Sequence, residues 1–166
     1  MLSIYNNKEK IKMSRTDLIQ LPLLIEPKQK RHVRSQFGAL CFRFKNGKIE
    51  FLLITSRRTK RWILPKGWPE NKMTPGESAA NEAFEEAGVT GEHDERPIGI
   101  YCYNKKVEPG EILPCIVTIF SLKVQNILSN YPEKLERKRK WFTRENAAKS
   151  VAEPELAMLI KCFDAS

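Results

Sequence analysis

Between Phe37 and Phe44 the side chains alternate, with Ala39, Cys41 and Arg43 on one side and Leu40, Phe42 and Phe44 on the other. That alternation predicts a strand with one well-buried face. Asn46-Gly47 then marks a hairpin turn, and the partner strand, Ile49 to Thr55, contains the run Phe51-Leu52-Leu53-Ile54. An unbroken apolar run of this length suits a strand buried on both faces. A short strand follows at Trp62-Ile63-Leu64, and further strands are predicted over Ile98–Tyr103 and Ile112–Val124, separated by a polar loop from Asn104 to Gly110.

The helix signals are stronger. Thr74 and Glu77 have the spacing of a capping box, Pro75 falls on the first helical position, and Gly88 stands where a left-handed cap is wanted. Together they predict a helix over 75–87. Thr143 is placed to cap a short helix ending at Ser150. Glu153-Pro154-Glu155 opens a last helix whose Leu156, Leu159, Ile160 and Phe163 form one apolar stripe, read as core packing. Residues 1–30 show no clean period, and only Leu18 to Ile25 forms a short apolar patch. The expected organisation is a basic, partly ordered extension over 1–34 and one domain over 35–166, without internal repeats.

On the 75–87 helix, Glu82, Glu85 and Glu86 share one arc, opposite Ala80, Ala83, Phe84 and Ala87. Clustered carboxylates raise one another's pKa unless a cation sits among them. A hard divalent ion such as Mg²⁺ is the simplest such partner. The competing reading is a solvated acidic face.

The 166 residues suit one domain with a substantial core, and 41% hydrophobic with 30% charged residues fits a soluble globular chain. No apolar run reaches the length of a membrane span, and the start of the chain lacks the apolar segment of a secretory signal. Cys41, Cys102, Cys115 and Cys162 form no C-x-x-C pair, and with only His32 and His93 beside them they argue against zinc. Reduced thiols and a cytoplasmic location are expected. The net charge is +9, with eight Lys/Arg against three Asp/Glu inside residues 1–34. That balance fits a polyanionic ligand; nucleic acid stays open but is not favoured. Arg57-Arg58-Thr59-Lys60-Arg61 is either a basic cluster at the mouth of the acidic helix or a solvated hairpin tip.

The order of strand, basic loop, Leu64-Pro65-Lys66-Gly67 and capped acidic helix resembles a Nudix hydrolase. The family's box is G-x5-E-x7-R-E-U-x-E-E-x-G-U, with U a bulky aliphatic residue. Here Gly67 takes the first glycine, Glu82 follows the Arg position, Glu85 and Glu86 form the Glu pair, and Gly88-Val89 close the box. Met73, Asn81 and Ala83 replace its first Glu, its Arg and its aliphatic residue. The Trp62–Pro69 stretch is most similar to the branch of diphosphoinositol-polyphosphate and diadenosine-polyphosphate hydrolases.

The resemblance implies an α/β/α sandwich around a mixed β-sheet and hydrolysis of a diphosphate linkage with Mg²⁺ or Mn²⁺. It implies Glu85 and Glu86 as metal ligands, joined by Glu82 and the Gly67 carbonyl, or Glu82 orienting the water. Which carboxylate acts as base stays open, with Glu136 a weaker candidate whose other reading is a surface acid balancing Lys134, Arg137 and Lys140. Lys66, and Arg57, Arg58, Lys60 and Arg61 if their loop folds over the mouth, would meet phosphate. The implied substrate is a phosphorylated small molecule: a nucleoside diphosphate derivative, a dinucleoside polyphosphate or a diphosphoinositol polyphosphate. The neutral Met73 and Asn81 motivate a second class, a module that binds a phosphorylated ligand or RNA without cleaving it.

Overall fold

A computed structural model describes residues 33–107 and 111–165. The expectations for residues 1–32 and for the tip of the 104–110 loop lie outside the described residues. The element order is β1 (Arg34–Lys45), β2 (Lys48–Thr55), β3 (Trp62–Ile63), β4 (Lys66–Gly67), α1 (Pro75–Ala87), β5 (Val89–Lys106), β6 (Ile112–Ile127), β7 (Arg139–Thr143), α2 (Arg144–Ser150) and α3 (Pro154–Cys162). The strands form one seven-stranded sheet with the path β3-β2-β1-β6-β5; β4 also pairs with β1, and β7 with β2. β1 and β6 run parallel, whereas the other pairs are antiparallel, so the sheet is mixed.

Asn46 and Gly47, at φ 51° and 72°, make the tight turn between β1 and β2. The register puts Phe42 opposite Phe51. Nearer its start β1 takes a different partner: Phe37 pairs with Gly67 and Gly38 with Lys66, while the Ala39 N–H donates to the Pro65 carbonyl at 3.0 Å. This change of partner seats the Lys66-Gly67 backbone at the sheet, where the acidic helix packs.

Alternation along β1 and β2 feeds two cores. Leu40, Phe42, Phe51 and Leu53 face the side covered by α2 and α3, where Leu156, Ile160 and Phe163 pack. Ala39, Cys41, Leu52 and Ile54 face the side covered by Ala79, Ala83 and Ala87 of α1. The result is an α/β chain of three layers. Both faces of β1 are therefore buried, where the sequence predicts one, because Ala39 and Cys41 are small enough to lie under α1.

Several other boundaries differ. β5 starts directly after Gly88, and irregularities between Thr90 and Gly99 carry the polar His93–Arg96 stretch that hides its first half. Asn104 to Lys106 continue that strand instead of opening a loop. β7 arises inside the basic stretch after Lys134, paired along β2 from Glu50 to Ile54. Among the described residues no helix is long and apolar enough to cross a membrane.

Candidate active site

α1 has the bounds and caps that its sequence predicts. Thr74 Oγ1 accepts from the Glu77 N–H at 3.1 Å, Glu77 Oε2 accepts from the Thr74 N–H at 2.8 Å, and Gly88 adopts φ 62°. Its inward side differs from the predicted one: Glu86 is buried and Phe84 half-buried. No basic residue lies in the last turn of α1. Arg139 of β7 supplies that charge, donating to the Ala87 carbonyl at 2.5 Å, to Gly88 O at 3.2 Å and to Leu128 O at 2.8 Å.

The helix meets β4 through two of its carboxylates. The Lys66 N–H donates to Glu86 Oε2 at 2.9 Å. The Glu82 carboxylate lies against the backbone of Gly67, and a Cβ on that glycine would overlap it. Gly67 is thus required by the close approach of an acid; its φ lies outside the left-handed region.

Glu85 is oriented by Asn81, whose Nδ2 lies 3.1 Å from Glu85 Oε1 and 2.6 Å from Glu70 Oε1. Met73, at the position of the box's first Glu, is 41% exposed. A carboxylate is nevertheless present, delivered from Glu70. An Asn–Glu hydrogen bond stands where the box has oppositely charged residues.

Glu86 has a second, charged partner. Arg137, just before β7, donates through Nη2 to Glu86 Oε1, through Nε to Glu133 Oε2 at 2.5 Å and through Nη1 to Thr55 O at 3.1 Å. The side chains of Arg137 and Glu86 are only 6% and 7% exposed. Glu70, Glu133 and Arg137 were not among the predicted site residues. Glu70 falls in the unspecified x5 stretch of the box and the other two lie outside it, so only their charge marked them.

The electrostatics follow from this crowding. Burial, then the neighbouring Glu86, Glu85, Glu70 and Glu133, push the Glu82 carboxyl up to about 7. Burial also raises Glu86, against the opposing pull of Arg137 and the Lys66 N–H. Burial lowers the Lys66 ammonium to about 8, opposed by Glu86. Its Nζ lies 5.0 Å from the centre of the Tyr103 ring, and Lys105 Nζ lies 4.6 Å from that of Trp68.

The donor set suits a hard cation in kind: carboxylate oxygens crowded together, those of Glu82 packed on a bare glycine backbone. Among the described residues, however, no group of three or more His, Cys, Asp or Glu is gathered closely enough to hold a metal ion in the observed rotamers. Glu82, Glu85 and Glu86 share one side of α1, but Glu86 is turned to Arg137 and Glu85 to Asn81.

The basic loop between β2 and β3 is tied into the fold. Arg57 reaches Glu136 at 3.3 Å and Glu133 at 3.6 Å, and Lys60 Nζ donates to Glu136 O at 3.2 Å. Arg58 donates to Val107 O at 2.5 Å, and Arg61 pairs with the buried Glu153 at 2.8 Å. Glu136 is half exposed and engaged by Arg57. The nearer acid to the α1 carboxylates is Glu133, whose N–H donates to Glu85 O at 3.0 Å.

Comparison with known proteins agrees with this architecture. The family model described as NUDIX domain matches residues 33–161. Nudix hydrolase 12, mitochondrial, of Arabidopsis thaliana is 37% identical over 103 residues, covering 60% of this chain and 51% of that protein. The chain thus spans about half the length of that relative. Diphosphoinositol polyphosphate phosphohydrolase 3-alpha of Homo sapiens is 31% identical over 118 residues, covering 70% of this chain and 68% of that protein. A solved binary complex of C. elegans Ap4A hydrolase superposes with a TM-score of 0.58 at 23% identity, covering 77% of this chain and 93% of that chain, a likeness of fold.

Proposed function

The chain belongs to the NUDIX domain family, and we propose that it hydrolyses a diphosphate linkage in a highly anionic phosphorylated small molecule, with Mg²⁺ or Mn²⁺ as cofactor. The observation that carries this reading is the packing of Glu82 on the bare Gly67 backbone, beside Glu85 and Glu86. A half-buried acid pressed onto a glycine among like charges is costly in its ionised form unless a cation compensates it. Glu85 and Glu86 would hold the ion, with Glu82 and the Gly67 carbonyl. When bound, a divalent ion neutralises diphosphate charge and acidifies water.

The remaining work falls to the chain's own groups. Lys66, protonated at neutral pH, is suited to hold a phosphate at the edge of the acidic helix. Asn81 keeps Glu85 oriented through Nδ2, with Glu70 as the second anchor of the same nitrogen. A carboxylate of α1 accepts the proton of the attacking water. The substrate set is a nucleoside diphosphate derivative, a dinucleoside polyphosphate or a diphosphoinositol polyphosphate. The net charge of +9 and a relative named for a diphosphoinositol polyphosphate favour its most anionic members.

A substrate panel with Mg²⁺ and Mn²⁺, with products identified by mass, tests the proposal. Release of a phosphate product with either ion is the expected result. Saturable binding of a polyphosphate without any product would establish the alternative, a non-catalytic module, which the neutral Met73 and Asn81 motivate.

A further inference from the structure

Among the described residues Glu86 is the one α1 carboxylate with a cationic side chain bonded to it. Nη2 of Arg137 donates to its Oε1, while the Lys66 N–H occupies Oε2 at 2.9 Å. The guanidinium is fixed on two other sides, by Glu133 Oε2 at 2.5 Å and by Thr55 O at 3.1 Å. It therefore bridges the end of β2, the buried side of α1 and the segment leading into β7. Within α1 no residue could serve instead, because Asn81 is neutral and spends its Nδ2 on Glu70 and Glu85.

We infer that Arg137 is the resident counter-charge of the acidic site, competing with a divalent cation for Glu86 and so setting the affinity of the site for metal. The inference rests on the reading of Glu86 as a metal ligand. An ion that used Glu86 Oε1 would have to displace Nη2, and it would meet a fixed positive charge at close range. The exchange falls to Glu86, whose carboxylate can turn away from Nη2, because the guanidinium is one rigid plane held through Nε by Glu133 and through Nη1 by Thr55. In this arrangement Arg137 is neither a ligand nor a group that touches substrate. It holds Glu86 in place and opposes loading.

A purely structural ion pair would behave differently. Removing it would lower stability and leave metal affinity unchanged or weaker. Removing a competing charge tightens metal binding, even as it destabilises the fold.

The probe is Mn²⁺ alone, titrated calorimetrically into the full chain without substrate. Wild type, Arg137→Met and Arg137→Lys are compared, each with and without Glu86→Gln. With Glu86 present, Arg137→Met is expected to bind Mn²⁺ tighter by about threefold or more, and Arg137→Lys to stay within about twofold of wild type. No tightening is expected in the Glu86→Gln background. If the methionine variant does not fold, Arg137→Gln, which retains an amide donor for Thr55 O, takes its place. Unchanged or weaker Mn²⁺ binding on loss of the charge overturns the inference, as does equal tightening without Glu86. A chain that shows the expected pattern but cleaves no substrate counts against hydrolysis alone. One that cleaves with Mn²⁺ yet shows no tightening counts against the role of Arg137 alone.

Discussion

Asn81 Nδ2 lies 2.6 Å from Glu70 Oε1, and the same nitrogen reaches Glu85 Oε1 at 3.1 Å. A neutral amide thus ties a loop carboxylate to a helix carboxylate. Asn81→Ala should release both acids, leaving them to repel. We expect a stability loss of about 1–2 kcal/mol in denaturant unfolding. Turnover should fall by about tenfold, the scale of losing a supporting contact at a metal ligand. Full activity in Asn81→Ala would show that Glu85 needs no orienting partner.

The two members of the Glu pair should fail differently. Glu85→Gln is expected to lose turnover by about 10²-fold or more while melting near wild type, since the amide preserves shape. Glu86→Gln should lose turnover and also about 1.5–3 kcal/mol of stability, because the buried Arg137 exchanges one of its two carboxylate partners for an amide and keeps only Glu133. Equal melting temperatures for the two variants would contradict the buried pair.

Gly67→Ala isolates the close approach. Its backbone lies in an ordinary region, so alanine carries no conformational penalty there. The added Cβ collides with the Glu82 carboxylate instead. Displacing that group should cost turnover on the order of 10²-fold. Circular dichroism should show an intact fold.

In chelator, pH should reveal Glu82. Its carboxyl is raised from 4.5 to about 7, so the folded chain holds a proton that the unfolded chain has released. The Glu82 contribution is therefore complete below pH 4.5 and is lost as pH rises towards about 7. Melting curves of wild type and Glu82→Gln should diverge over that window and run parallel above it. A constant offset across the range would rule out the raised carboxyl.

Arg61 and Lys66, both predicted to meet phosphate, should separate by assay. Arg61 is paired with Glu153, a carboxylate 7% exposed whose Oε2 has no hydrogen-bond partner among the described residues. Arg61→Ala should cost about 1–2 kcal/mol of stability with KM within about twofold. Lys66→Met should raise KM by about tenfold with little effect on melting. The reverse pattern would place Arg61 on the substrate.

The contrast between these two residues shows where the sequence was readable. α1 was predictable to its ends because Thr74, Pro75, Glu77 and Gly88 act within a few residues of one another. The alternation of β1 and the run in β2 located two strands, but not that small Ala39 and Cys41 would lie beneath a helix. β7 was hidden by its charge, since Arg139 and Lys140 close a strongly basic stretch, Lys134 to Lys140, in which no strand is predicted. The site was readable where its box is contiguous. Its supports were not: Arg137 meets Glu86 across 51 positions, and Arg61 meets Glu153 across 92. A local pattern carries no information about which distant cation settles on which acid.

Arg139 on the last carbonyls of α1 has a consequence for how the chain assembles. Both caps of this helix are local, with Thr74 also reaching Glu95 of β5 at 2.8 Å, whereas the charge opposite its last carbonyls arrives from a strand 51 residues later. Its local caps can nucleate it, but the cation opposite its last carbonyls is in place only once β7 has paired with β2. The last turn, which carries Glu85 and Glu86, is thus expected to reach its full stability only with that pairing. Amide exchange in its last turn should be governed by the detachment of β7 and not by the helix itself.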